Sequence, residues 1–303
     1  MKKLIIATLS VALAVMAIEP AHAQDQKVLA IIDTAIDSTK VPQVIYEACF
    51  TSSLSMACPN GQRFMEGKGS AASPLWPSDI RKPVYHGHNV VQSSLETDPN
   101  LKIVFIRTAD ITVPNPTRKI VGGDQAAFEV DPMVRALKWV SENAAKYSID
   151  AVATSQSSIV SDSSLLRSSL LATYNESCVN SSALSSVSVL NLQNIPVFAA
   201  TGNDESNTRV GFPACLDGVI GVGALIQNVN LIAKATNKGP GLDVVAQSSI
   251  RVKRYHGTFF DFLGTSAATP IAAAIYVGSN KHSSVNLFIN SLLKVQGYPN
   301  ISK

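Results

Sequence analysis

The sequence predicts an α/β fold, a doubly wound, mostly parallel sheet with helices on both faces. Three observations predict it. Short apolar runs recur along the chain, they are rich in β-branched residues, and polar stretches of helical periodicity lie between several of them. The runs cover residues 28–32, 101–106, 151–154, 196–200, 219–222 and 242–246. Their length suits strands buried on both faces.

The clearest helical pattern is residues 131–147, DPMVRALKWVSENAAKY. Asp131 is placed to cap it and Pro132 to occupy its first position. Met133, Leu137, Val140 and Ala144 then share one face. A second helix is expected within residues 163–174 and a third beginning near Ser266. The Ser-rich stretch 155–188 carries Leu165, Leu166, Leu170 and Leu171 as an apolar stripe, so it belongs to the fold. No repeat or linker divides the chain. Residues 24–303 are therefore expected to form one domain.

Composition excludes several classes. The 303 residues are 46% hydrophobic and 16% charged, unlike a disordered or coiled-coil chain. A formal charge of +3 without a basic run argues against a nucleic-acid or anionic-membrane partner.

Residues 1–23 read as a signal peptide. Lys2 and Lys3 precede an apolar stretch over residues 4–18, and Ala21-His22-Ala23 supplies a cleavage pattern. An uncleaved anchor is the alternative, but the apolar stretch is short for a bilayer span. Export to the periplasm or the extracellular space follows, with no membrane association after cleavage. In an oxidising compartment the four cysteines are expected to pair. Of the three pairings, Cys49–Cys58, which pins a polar loop, with Cys178–Cys215 is favoured. No C-x-x-C or nearby His supports a metal or reactive-thiol role.

In a sheet of this kind, ligands sit beyond the carboxyl ends of the strands. Asp33 follows the run 28–32, Ser155 follows 151–154, and Thr201-Gly202-Asn203 follows 196–200. Late in the chain, Gly264-Thr265-Ser266-Ala267-Ala268-Thr269-Pro270 leads into an Ala-rich helix. A serine at such a helix start has its N–H at the positive end of the helix.

Four segments carry a family resemblance. They are V-L-A-I-I-D-T-A-I-D with Asp33, H-G-H-N-V with His86, A-A-T-G-N with Asn203, and G-T-S-A-A-T-P with Ser266. In this order they resemble the motifs of subtilisin-like serine proteases, the subtilase family, over roughly residues 27–278. The resemblance implies an exported serine endopeptidase acting on a protein or peptide substrate. It implies Ser266 as nucleophile, His86 as general base and then acid, Asp33 as the group orienting the imidazole, and Asn203 as oxyanion donor. It implies substrate contacts at Ser155, Gln156, Ser157, Ala200, Thr201 and Gly202, the backbone lining the pocket for the residue before the scissile bond. A cis bond before Pro213 is implied as well. No cofactor is required; family members often bind calcium, but no acidic loop here identifies its ligands.

Each residue has a plainer reading. Asp33 could end a strand as a cap, with Asp37 a solvated loop acid. His88 competes with His86 as base, but Gly87 and Val90 follow His86 as in the family, which leaves His88 structural or exposed. His256 and His282 read as surface residues. Asn203 could cap a turn and Ser266 a helix.

Departures also stand out. After H-G, Val91 and Gln92 stand where the family continues its helix with small residues. Ser157 stands where the family's groove segment has glycine, which adds bulk where a peptide should approach. A catalytically impaired peptide-binding protein of the same fold is therefore the alternative function, and a non-proteolytic acyl hydrolase a third. Only Gln24, Asp25, Gln26 and Lys27 separate the expected cut from the first strand. Folding unaided, or with an unidentified folding or inhibitory partner, is the corresponding expectation.

Overall fold

A computed structural model describes residues 26–52, 57–72, 86–108, 110–111, 126–127, 130–158, 160, 176–253, 257–279 and 284–302. The expected signal peptide, the helix expected within 163–174, and His256 and His282 lie outside the described residues.

The main sheet has eight strands. They are β1 (Val28–Asp33), β2 (Val44–Phe50), β3 (Phe64–Glu66), β4 (Lys102–Arg107), β7 (Ala151–Thr154), β8 (Val197–Ala200), β9 (Val219–Leu225) and β10 (Val244–Gln247). Their spatial order is β10-β9-β8-β7-β1-β4-β2-β3. Every neighbouring pair is parallel except β2 with β3. The short strands β5 (Asp110–Ile111) and β6 (Ala126–Ala127) pair apart from it.

Side-chain alternation divides the core into two layers. Val28, Ala30 and Ile32 of β1 face α2 (Val130–Tyr147) and α3 (Ser181–Leu192). Leu29 and Ile31 face α1 (His86–Thr97) and α4 (Thr265–Gly278). All six β1 residues are buried, as a strand covered on both faces requires. Helix α2 begins at Val130, one residue before the expected cap. Asp131 therefore sits in the first turn and pairs with Arg135 one turn on. At the start of α3, Asn180 is the cap, its side-chain oxygen accepting from the Ala183 N–H at 3.0 Å.

Besides α3, three further features were not anticipated. Strand β2 carries Glu47 inside its apolar pattern, buried at 2% exposure. Its carboxyl oxygens accept from the Gly69 N–H at 3.0 Å and the Ala71 N–H at 3.1 Å, so the buried polar group is hydrogen-bonded rather than bare. Strands β11 (Ser249–Lys253) and β12 (Phe259–Leu263) form an antiparallel hairpin leading directly into α4. After α5 (Val285–Asn290), β13 (Lys294–Val295) and β14 (Tyr298–Pro299) form a second hairpin that closes the chain.

Cys49–Cys58 and Cys178–Cys215 are both joined. Phe212–Pro213 is the cis peptide bond. No helix of the described residues is long and apolar enough to cross a membrane.

His88 is buried at 4% exposure, which makes it structural rather than exposed. Burial holds its pKa below the ordinary 6.5, and the charge of Lys40 adds to that depression. The Lys253 backbone and the Asp37 carboxylate act against it. A depressed folded value means the unfolded chain binds the extra proton first. Stability contributed by neutral His88 is thus full above about pH 6.5 and declines as pH falls through the window below it. Urea unfolding at pH 7.5 and pH 5 is expected to show a smaller acid loss in His88→Gln than in the parent chain. An equal loss in both would exclude His88 as a source.

Candidate active site

The site is built where β1, β7 and β8 end. Ile32 of β1 lies beside Thr154 of β7, and Thr154 beside Ala199 of β8. The residues that follow, Asp33, Ser155 and Thr201 to Asn203, therefore emerge at one edge of the sheet.

Asp33 is fully buried. Its Oδ1 accepts from His86 Nδ1 at 2.8 Å and from the Thr34 N–H at 2.7 Å. An ionised carboxylate can only accept, so Nδ1 is the donor, and in a neutral imidazole Nε2 is then left with the lone pair. The Gly87 N–H donates to Thr34 Oγ1 at 2.7 Å. The last residue of β1 and the one after it thus hold adjacent residues at the start of α1. Glycine after the histidine is a steric requirement: a Cβ there would lie 2.6 Å from the Phe105 ring. The His86 ring also meets Phe262 edge-on, with centroids 5.3 Å apart. Phe262 lies on β12, four residues before Ser266, so this contact ties the imidazole to the chain entering α4. Behind that entry, Val91 is fully buried, so α1 accommodates the larger residue that replaces the family's smaller one.

Ser266 occupies the first turn of α4. The turn starts from Gly264, whose φ of 84° is a left-handed conformation suited to glycine. Pro270 lacks the N–H that would bond the Ser266 carbonyl four residues earlier. That carbonyl instead accepts from Ser155 Oγ at 2.9 Å. In return, Ser266 Oγ donates to the Ser155 carbonyl at 3.4 Å. Among the described residues that carbonyl, and not the imidazole, is the partner of the Ser266 hydroxyl.

Asn203 is exposed, and its Oδ1 accepts from the Thr265 N–H at 3.1 Å. A backbone N–H must meet the oxygen, so the amide NH₂ is the end left for another acceptor. The Ser266 N–H is one of the first-turn donors that a helix does not satisfy internally. Two donors therefore lie beside the candidate nucleophile.

Sequence reasoning missed Asn237, which is fully buried. Its Nδ2 donates to the Thr201 carbonyl and to Asp204 Oδ2, each at 3.0 Å. Its Oδ1 accepts from the N–H groups of Asp204 at 2.9 Å and Ser206 at 3.1 Å, and its own N–H donates to the Gly202 carbonyl at 3.0 Å. One amide thus fixes the loop that carries Asn203. In the sequence it reads only as an asparagine in a polar turn, T-N-K-G.

Of the expected substrate contacts, Ser155, Gln156, Ala200, Thr201 and Gly202 are buried and Ser157 is half-buried. The Gln156 side chain accepts from Thr108 Oγ1 at 2.6 Å, which points it into the protein. The described residues contain no group of three or more His, Cys, Asp or Glu fit to hold a metal ion.

The exchange between Ser155 and Ser266 generates a prediction. Ser155→Ala leaves the Ser266 carbonyl unpartnered and is expected to destabilise the chain by about 1–3 kcal/mol. With Pro270→Ala the helix can satisfy that carbonyl itself. The Ser155→Ala loss should then shrink, read as a coupling in a double-mutant cycle of urea unfolding. Additive losses would reject the account.

Comparison with known proteins places this geometry. A model of the subtilase family matches residues 120–278, just over half of the chain. No curated protein matches. Among solved structures, a protease from Pseudoalteromonas arctica PAMC 21717 aligns with a TM-score of 0.65 at 16% identity, covering 91% of this chain and 87% of that one. The self-cleaved protease domain of PatA aligns at 0.56 and 16% identity, covering 90% and 93%. The prenylagaramide maturation protease PagA aligns at 0.57 and 15% identity, covering 91% of each chain. At such identities the structural likeness establishes the fold alone. The family match supplies the rest: the chain belongs to the subtilase family of serine proteases.

Proposed function

We propose that this chain is an exported serine endopeptidase working through Asp33, His86 and Ser266 with Asn203 as oxyanion donor. The observation that carries the reading is the 2.8 Å bond from His86 Nδ1 to buried Asp33, at the sheet edge where Ser266 and Asn203 also converge. Export rests on the signal-like residues 1–23 and the two disulfides.

In this mechanism Ser266 Oγ attacks the scissile carbonyl carbon while His86 Nε2 takes its proton. Electrons move onto the carbonyl oxygen, which receives hydrogen bonds from Asn203 Nδ2 and the Ser266 N–H. The imidazolium is stabilised by Asp33 and returns the proton to the leaving amine as the C–N bond breaks. Water, deprotonated by His86, then releases the acyl group and restores the hydroxyl. Ser266 must turn from the Ser155 carbonyl toward the imidazole to begin. Hydrogen bonds of this kind are often long before substrate binds.

The second reading, a peptide-binding protein with an impaired site, draws on that same resting hydroxyl position. Labelling with a small fluorophosphonate separates the two, because only an activated serine reacts. Expected are labelling and peptide hydrolysis by the parent chain and neither by Ser266→Ala. A parent chain that is folded but unlabelled would favour the binding protein. Asn203→Ala should lower kcat by about 10²–10³, the loss found on removing such a donor in another member of this family. Unchanged turnover in Asn203→Ala would remove that residue from the oxyanion role.

A further inference from the structure

We infer that the pocket for the residue on the amino side of the scissile bond is shallow, admits only glycine- or alanine-sized side chains, and owes that limit to Ser157. The inference rests on the protease reading and names its substrate class.

Three segments meet where that side chain would go: residues 155–158, 200–202 and 211–212. They are stitched together. The Gly211 N–H donates to the Thr201 carbonyl at 2.9 Å, and the Ser158 N–H to the Phe212 carbonyl at 2.9 Å. The Phe212 N–H donates to Ser158 Oγ at 2.8 Å. These bonds hold residues 211–212 against both of the other segments.

The remaining space faces two glycines, and Ser157 occupies it. A Cβ on Gly211 would lie 2.0 Å from Ser157 Oγ and 2.3 Å from the Ser158 carbonyl oxygen. A Cβ on Gly202 would meet Asn237 Nδ2 first, at 2.4 Å, and the same hydroxyl at 3.0 Å. The Ser157 hydroxyl therefore sits in contact with both glycines at once, where neither supplies a side chain. It is held there by donating to the Ser158 carbonyl at 3.2 Å. Gly202 adjoins Asn203, and Ser155 is bonded to Ser266. A substrate carbonyl placed on Asn203 and the Ser266 N–H thus directs its preceding side chain at Ser157. Removing the hydroxymethyl group is the smallest change that deepens the floor.

The test compares labelling rates of Ser266 by peptidyl phosphonates that differ only in the residue before phosphorus, alanine or phenylalanine. The parent chain is expected to react faster with the alanine reagent by about tenfold or more. In Ser157→Gly the phenylalanine-to-alanine rate ratio should rise by about tenfold. Should that variant fail to fold, the preference of the parent chain decides alone. Labelling by the small fluorophosphonate with no preference for alanine among the peptidyl reagents would overturn the pocket inference and leave the protease reading standing. No labelling by either reagent class would overturn the protease reading and this inference with it.

Discussion

The depth at which the Thr265–Gly278 helix lies against the sheet is the constraint on which the rest depends. Ala267, Ala268, Ala272, Ala273 and Ala274 are all fully buried. Such small side chains let the helix axis come close to β1, β7, β8, β9 and β10, all of which it contacts. A larger residue at any of these positions would have to push the helix away or distort its neighbours. The same approach brings the first turn of the helix level with the strand ends. Ser266 can meet Ser155, and Thr265 can meet Asn203, only because the side chains behind them are small.

That closeness creates polar demands which the strand-end loops must meet. The Thr265 N–H lies too far inside to be left to water, and Asn203 accepts from it. Pro270 strands the Ser266 carbonyl, and Ser155 donates to it. The loop carrying Asn203 has its own buried backbone groups, and Asn237 satisfies them. Polar residues near the candidate nucleophile are therefore structural requirements first. Under the protease reading the chemistry borrows them: the Asn203 amide can face a substrate with its NH₂ because its oxygen is already committed.

How far the sequence could be read depended on whether burial left a local trace. Strands covered on both faces did: Ala151–Thr154 is observed as expected, and the other five runs differ only at their ends. Strand β2 did not, because Glu47 breaks its apolar pattern and the groups that satisfy it lie on a separate turn more than twenty residues on. Helix α3 was hidden for a different reason. Its buried Ala183, Val187 and Leu190 are interleaved with serines and with exposed Val189 and Leu192, which blurs the stripe. At the candidate site, Asp33, His86, Asn203 and Ser266 could be singled out as candidates because each sits in a short local motif. Asn237 was not. Its role comes from five hydrogen bonds to a loop more than thirty residues earlier, and nothing in T-N-K-G announces them.

The resting position of the Ser266 hydroxyl has an energetic reading. At 3.4 Å its bond to the Ser155 carbonyl is long, near the limit at which such contacts weaken. A well-formed hydrogen bond contributes about 0.5–1.5 kcal/mol net, and this one falls at or below the bottom of that range. Turning the hydroxyl toward His86 therefore loses little. Under the protease reading the Ser155 carbonyl then lacks that donor, and an extended peptide carries backbone N–H donors that can replace the hydroxyl there. Substrate binding would then both satisfy the carbonyl and free the hydroxyl for the imidazole. On this argument the contact seen at rest is a weak placeholder, and it poses no barrier of consequence to the proposed chemistry.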